Sequence, residues 1–158
     1  AFYGAVAYDS GGNLIVSGGL AGPMPFPGEP APLDDAVHAF VVQLGPDGTP
    51  LWHHVFGNAP GASGEQQGTA VAVAPNDDIL VGGRVATSIR LFGVDHQLPE
   101  QHWEGAYLAR ISSSGEPIWS RPLLFTTFLR DIAKVHAGRR IYEHTPSGAL
   151  QMNGQDLQ

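Results

Sequence analysis

An all-β fold is predicted by three observations. Glycine and proline are abundant, at 21 and 13 of 158 residues. That many breakers disrupt helices but suit short strands joined by turns. Apolar residues alternate with small or polar ones over short runs, as half-buried strands require. The chain also repeats itself: AVAYDSGGNLIVSG at 5–18 returns as AVAVAPNDDILVGG at 70–83.

The repeat sets the order of the elements. With an offset of 65, Ala5, Val6 and Ala7 meet Ala70, Val71 and Ala72, Val16 meets Val81, and Gly18 meets Gly83. Further on the offset is 67, so that Phe40 meets Tyr107, Gly48 meets Gly115, Pro50 meets Pro117 and Trp52 meets Trp119. The two-residue difference is an insertion in the loop that joins the halves of the second copy. Self-similarity at such a period signals stacked structural units.

In the second copy, residues 69–73 read as the first strand and PNDD at 75–78 as its turn, because Asn and Asp tolerate tight backbone angles. Residues 79–83 form the second strand, 106–111 the third after a long loop, and 117–122 the fourth after the SSSG turn at 112–115. In the first copy SGGN at 10–13 and GPDG at 45–48 fill the matching turns. Glycine there supplies the positive φ that tight hairpin loops need. Two hairpins per copy make a four-stranded antiparallel sheet.

One such sheet cannot bury both faces, but several stacked around an axis can, which is a β-propeller. The small residues at 5–7 and 70–72 suit a crowded inner strand, and Trp52 and Trp119 suit outer strands, wedged between neighbours. A third copy starts at DIAKVHAGRRIYEHT, 131–145, where Ile132 takes the place of Val6 and Tyr142 that of Val16, with HAGR at 136–139 as the turn. The remainder, 146–158, is polar and turn-rich. The expected organisation is a single propeller segment of about two and a half blades: about 4–57, about 68–123, and a partial blade at about 129–158.

The order of these motifs, with LWHHVFG at 51–57 running into GEQQGTAVAV at 64–73, resembles the bacterial β-propeller repeats of the SBBP type, in particular the long arrays of myxobacterial secreted proteins. The resemblance covers about 4–125, with a degenerate continuation to about 145. His38 and Gly105 stand where such repeats usually carry Asp before the third strand. The resemblance implies an extracellular or envelope-associated propeller and no shared catalytic residues.

Composition excludes several classes. Without cysteine there are no disulfides, cysteine nucleophiles or thiolate metal sites. A net charge of −7 argues against a nucleic-acid binder. The basic residues Arg130, Lys134, Arg139 and Arg140 read as a solvated sheet edge. No apolar run is long enough for a membrane span. No signal peptide is present, and a start at Ala rather than Met reads as a processed or excised piece. There is no phosphate loop, no Gly-x-Ser-x-Gly element and no Ser–His–Asp set.

The most site-like stretch is DHQLPEQHWEG at 95–105. Its His96, His102 and Glu104 are ligand types, but their spacing matches no metal motif, and no metal or other cofactor is assigned. Trp103 among these charges can stack on a sugar or anchor a protein partner, or else fold back over the sheet edge. Trp103, His102, Glu104 and His96 are therefore the candidate binding residues, on a rim formed by loops 20–37 and 85–104. The first of those loops holds five prolines and ends in Asp34 and Asp35; it reads as a stiff connector. His53 and His54 are adjacent on a strand, point to opposite faces and cannot share one metal.

The function expected is that of a non-catalytic binding or structural scaffold in a secreted or cell-surface bacterial protein, completed by further blades of a parent chain. Two other classes compete with it. Gly-x-x-x-Trp at Gly48–Trp52 and Gly115–Trp119 also resembles the tryptophan-docking repeats of quinoprotein dehydrogenases, which would make the chain an enzyme fragment. Open sheet edges could instead recruit other copies and complete a propeller by self-association.

Overall fold

The computed structural model describes residues 4–22, 36–58, 63–98 and 104–123, with the backbone of three short strands further on. Every regular element described is a strand. Strands β1 (Ala5–Tyr8), β2 (Leu14–Ala21), β3 (Val37–Leu44) and β4 (Pro50–Phe56) form one antiparallel sheet in sequence order. Strands β5 (Gln66–Val73), β6 (Ile79–Ala86), β9 (Glu104–Ile111) and β10 (Pro117–Leu123) form a second in the same order. Between β6 and β9 the chain makes a separate hairpin, β7 (Ser88–Leu91) and β8 (Val94–Gln97).

The two sheets repeat their pairing residue by residue. Ala5↔Ser17 and Ala7↔Ile15 correspond to Ala70↔Gly82 and Ala72↔Leu80. Val41↔His54 and Gln43↔Trp52 correspond to Leu108↔Arg121 and Arg110↔Trp119. Both fourth strands carry a β-bulge at the same place, skipping Leu51 in one and Ile118 in the other. The bulge matters because side chains alternate along a strand. Without it Trp52 would oppose Val42 on the far face; with it Trp52 opposes Gln43 and faces the second sheet.

The core lies between the sheets. Ile15, Ala39, Val41 and Phe56 of the first meet Val71, Ile79, Val81, Tyr107, Ala109 and Ile111 of the second. Strand β5 runs against β1, β2 and β3. The approach is close: a Cβ on Gly68 would fall 2.0 Å from Ser17 Oγ, so only glycine fits there. The opposite face of the second sheet holds a smaller apolar cluster of Ala70, Ala74, Leu80 and Leu108, against which Trp119 and Leu123 pack.

Equivalent turns sit side by side at one end of the stack. The β1–β2 turn has Gly12 at φ 81°, and its counterpart, Asp77, takes φ 61° in the β5–β6 turn. Asp77 gains from this strained position, because its carboxylate accepts from Ser10 N (2.9 Å) and Ser10 Oγ (2.5 Å) of the neighbouring turn. Below these turns each sheet holds one carboxylate in a polar cluster. In the first, Asp9 accepts from Asn13 and from Gln43 Nε2 (2.7 Å). In the second, Asp78 and Arg110 take the places of Asn13 and Gln43 and pair directly at 2.6 Å. The acid has moved and its partner has changed with it.

Three differences from the expected elements stand out. Strand β5 begins at Gln66, ahead of the repeat. The 85–104 segment, expected as a loop, contains the β7–β8 hairpin. In the tail, β11 (Tyr142–His144), β12 (Leu150–Met152) and β13 (Gln155–Asp156) form a three-stranded sheet in which Tyr142 pairs with Met152. The polar tail thus has strands of its own, favoured by the Asn-Gly between β12 and β13, a strong local hairpin signal. Most of the third repeat, including HAGR at 136–139, lies outside the described residues.

Candidate functional site

The end of the stack opposite the tight turns carries the long connections, β2–β3 in the first sheet and β6–β9 in the second. In the second, the hairpin is built from the inside outward. Ile89 and Leu91 of β7 are fully buried in the inter-sheet core. Phe92 and Gly93 form its turn with φ 49° and 81°, the doubly positive geometry that fits the twist of a two-residue hairpin. Asn or Asp usually leads such a turn. Phe is tolerated here because its ring meets Phe56 edge-on at 5.3 Å and His54 at 5.1 Å. The backbone is tied to the first sheet as well, with Arg90 N donating to Gly57 O at 2.9 Å. Although it belongs to the second sheet by sequence, the hairpin also clamps β4 of the first.

Its outer surface is polar and internally neutralised. Arg90 grips Asp95 with two bonds, 2.6 and 2.8 Å. Arg90's hydrogen bond, more than its charge, holds the Asp95 carboxyl below the usual carboxylate range. Val94, next to the turn, is 56% exposed, and Gln97 at the other end of β8 is exposed as well. At the base, Leu98 N donates to Thr87 O and Thr87 Oγ1 to Ser63 O, each at 2.8 Å.

A polar knot lies beneath. Gln66 is fully buried and donates from Nε2 to Asn58 Oδ1 (2.5 Å) and to Ser88 O (2.6 Å), while Asn58 Nδ2 donates to Gly64 O (3.1 Å). This joins the link after β4, the start of β5 and the start of β7 in one network. Tyr107 is buried nearer the core, edge-on to Phe56 at 5.6 Å, and burial alone pushes its phenol well above the ordinary tyrosine value.

The sequence-predicted residues fall unevenly. Glu104 opens β9 and pairs with Arg84. His96 lies on β8 opposite Ile89, half-buried, with its Nε2 making no hydrogen bond. His102 and Trp103 lie outside the described residues, as do 23–35 with the prolines, Asp34 and Asp35. Among the described residues no three or more His, Cys, Asp or Glu come together in a way that could hold a metal ion. No described helix is long and apolar enough to cross a membrane. His54 faces the core, as the alternation of the strand requires, and its Nε2 lies 2.7 Å from Gly115 O.

The repeat-marking residues take paired positions. Gly18 and Gly83 lie under the rings of Phe40 and Tyr107. Trp52 lies on the Gly115 turn of the second sheet, its Nε1 donating to Ser113 O at 3.3 Å. Sequence reasoning missed Gln66, Asn58 and Ser88, and gave Phe92 no role of its own. The doubled Gln66–Gln67 ahead of an apolar strand was a visible signal. The roles of Asn58 and Ser88 had no local signal, because they depend on a partner elsewhere in the chain.

Among the described residues, this end presents the Arg90–Asp95 and Arg84–Glu104 pairs and the exposed Val94. Searches against protein-family models, curated proteins and solved structures found no match to the chain.

Proposed function

We infer that the chain is a segment of a β-propeller of the SBBP-like kind and serves as a non-catalytic binding or structural scaffold in a secreted or cell-surface bacterial protein. One observation carries this reading: two four-stranded sheets share one register, bulge included, and pack through opposite faces. Units that pack front to back can be added repeatedly, and closed rings of such units typically hold about four to eight.

The functional surface in this reading is the end that carries the long connections. A rigid stack presenting variable loops at one end is a common arrangement for recognition. The hairpin tip offers the exposed Val94 beside the Arg90–Asp95 pair, an apolar point within a polar rim, suited to a glycan or a protein loop.

The test is a glycan and peptide array probed with the native chain and with the Trp103→Ala and Val94→Asp variants. Binding that weakens by about tenfold in either variant, with unchanged circular dichroism, supports the reading. Binding indifferent to both removes the rim from the account. Conversion of a bound glycan into product overturns the non-catalytic assignment.

A further inference from the structure

The β7–β8 hairpin presents a strand edge. Its turn is two residues long, so Leu91 and Val94 are a hydrogen-bonded pair, and bonded and non-bonded pairs alternate from there. Two bonds fix the phase: Leu98 N donates to Thr87 O, and Arg90 N turns away from β8 to Gly57 O. Arg90–Asp95 and Ser88–Gln97 are therefore the non-bonded pairs. The N–H and C=O groups of Asp95 and Gln97 point away from β7, and among the described residues no hydrogen bond uses them. Val94, Asp95 and Gln97 are all exposed. The hairpin interrupts one unit between β6 and β9, so this edge does not arise from an end of the chain. Strands β4, β5 and β10 are each interrupted by a bulge, and prolines stand in β4 (Pro50) and β10 (Pro117, Pro122). Bulges and prolines keep strand edges from pairing. Strand β8 has neither.

We propose that the β8 edge pairs with the β8 edge of a second copy of this chain, antiparallel about a two-fold axis at His96. Strand β8 is self-complementary in that register. Asp95 falls opposite the second copy's Gln97, and Gln97 opposite its Asp95. Each of these pairs exchanges both main-chain bonds, so the outward groups of both strands are all taken. Side chains directly opposite share a face. On the outer face an amide meets a carboxylate, and neither two carboxylates nor two guanidinium groups are set opposite each other; Arg90 already neutralises Asp95 within each chain. On the inner face β8 lies across from the buried Ile89 and Leu91, and there Val94 gains the second copy's Leu98 as a neighbour. An isologous contact of this kind closes as a dimer, with the two hairpins forming one four-stranded sheet. The contact is small and belongs with weak, transient interfaces. It goes beyond the scaffold reading and does not depend on it.

Disulfide cross-linking of the whole chain tests the register and captures weak contacts. The chain has no cysteine, so thiols can be introduced one at a time. Position 96 faces itself across the axis as a non-bonded pair, with Cα atoms about 4.5 Å apart, within reach of a disulfide. Positions 95 and 97 are each displaced by two residues from their own copies, roughly 7 Å or more, beyond that reach. Oxidised glutathione serves as the electron acceptor, and each rate is taken relative to that thiol's reaction with a small disulfide reagent. His96→Cys should then form covalent dimer about tenfold or more faster than Asp95→Cys or Gln97→Cys alone. The last two, mixed, should cross-link to each other. Gln97→Pro removes an outward N–H from each chain and no β7–β8 bond, so in the His96→Cys background it should slow dimer formation about tenfold without lowering the unfolding midpoint. Gln97→Ala keeps that N–H and should slow it far less. Absence of dimer at position 96 with chain in the millimolar range overturns the proposal, as do equal rates at 95, 96 and 97, or a rate at 96 that the proline leaves unchanged. Glycan binding in the preceding test is read without oxidant, so the two readings fail separately.

Discussion

Gly48 and Gly115 provide a matched pair in one molecule. Both occupy the same position of the same turn, with φ of 82° and 89°, and both resist side chains for that reason. Substitution by alanine should cost about 1 kcal/mol at either site through left-handed strain alone. Only Gly115 lies under a neighbour: its Cβ would be 2.6 Å from Trp52 Cγ and 2.9 Å from Cδ2. Ordinary contact begins at 3.4 Å, so the indole must retreat by roughly 0.8 Å. That movement strains its hydrogen bond to Ser113 O and its packing on the core. Overpacking of this kind costs about 1–3 kcal/mol. Gly115→Ala should therefore be less stable than Gly48→Ala by about 1–3 kcal/mol, which is roughly 2–4 °C per kcal/mol in a chain of this size. Urea and thermal unfolding of dilute chain measure both. Repeating Gly115→Ala in a Trp52→Ala background should remove the excess, since the obstructing ring is gone. Equal losses at the two glycines, or an excess that survives removal of Trp52, would refute the inter-sheet role of the tryptophan.

Three further outcomes follow from the same contacts. Tyr107→Phe should be neutral or stabilising, because the buried hydroxyl makes no hydrogen bond, whereas Tyr107→Ala should cost about 3–5 kcal/mol. Because burial raises the folded phenol's pKa, the unfolded chain loses its proton first as pH rises above about 10, and stability falls there; Tyr107→Phe should make that fall shallower. The carboxyls of Asp47, Asp77 and Asp95 are all held low by hydrogen bonds from Thr49, Ser10 and Arg90, so their contribution is present above the unfolded value of about 3.9 and disappears as pH falls below it. The acid loss of the urea midpoint should shrink in the triple Asp→Asn variant, and an unchanged acid slope would exclude these groups as its source. Phe92→Asn keeps the turn geometry but gives up both ring contacts, so trypsin should cleave after Arg90 faster than in the native chain; equal cleavage rates would mean that the rings do not hold the hairpin.

Much of the fold was legible because its signals are local. Alternation marked the strands, and SGGN, GPDG, PNDD and SSSG marked the turns. The two offsets aligned the copies, and the register of both sheets follows that alignment through to Trp52 and Trp119. The candidate site was less legible. DHQLPEQHWEG drew attention to its ligand-type residues, yet Asp95 and Glu104 are occupied by Arg90 and Arg84, arginines that precede them in the chain and reach them only through strand pairing. The hairpin was hidden because Phe-Gly is an unusual turn pair, acceptable only once Phe56 and His54 are in place.

By itself, then, the sequence determined the eight strands of the two sheets, their order and the equivalence of two units, since alternation and turn chemistry act between residues close in the chain. Tertiary structure decided which face each unit buries, that a bulge turns Trp52 toward the second sheet, and that Gly115 is covered while Gly48 is open. Those outcomes depend on contacts between residues some sixty positions apart, such as Trp52 with Ser113, and no local pattern specifies them.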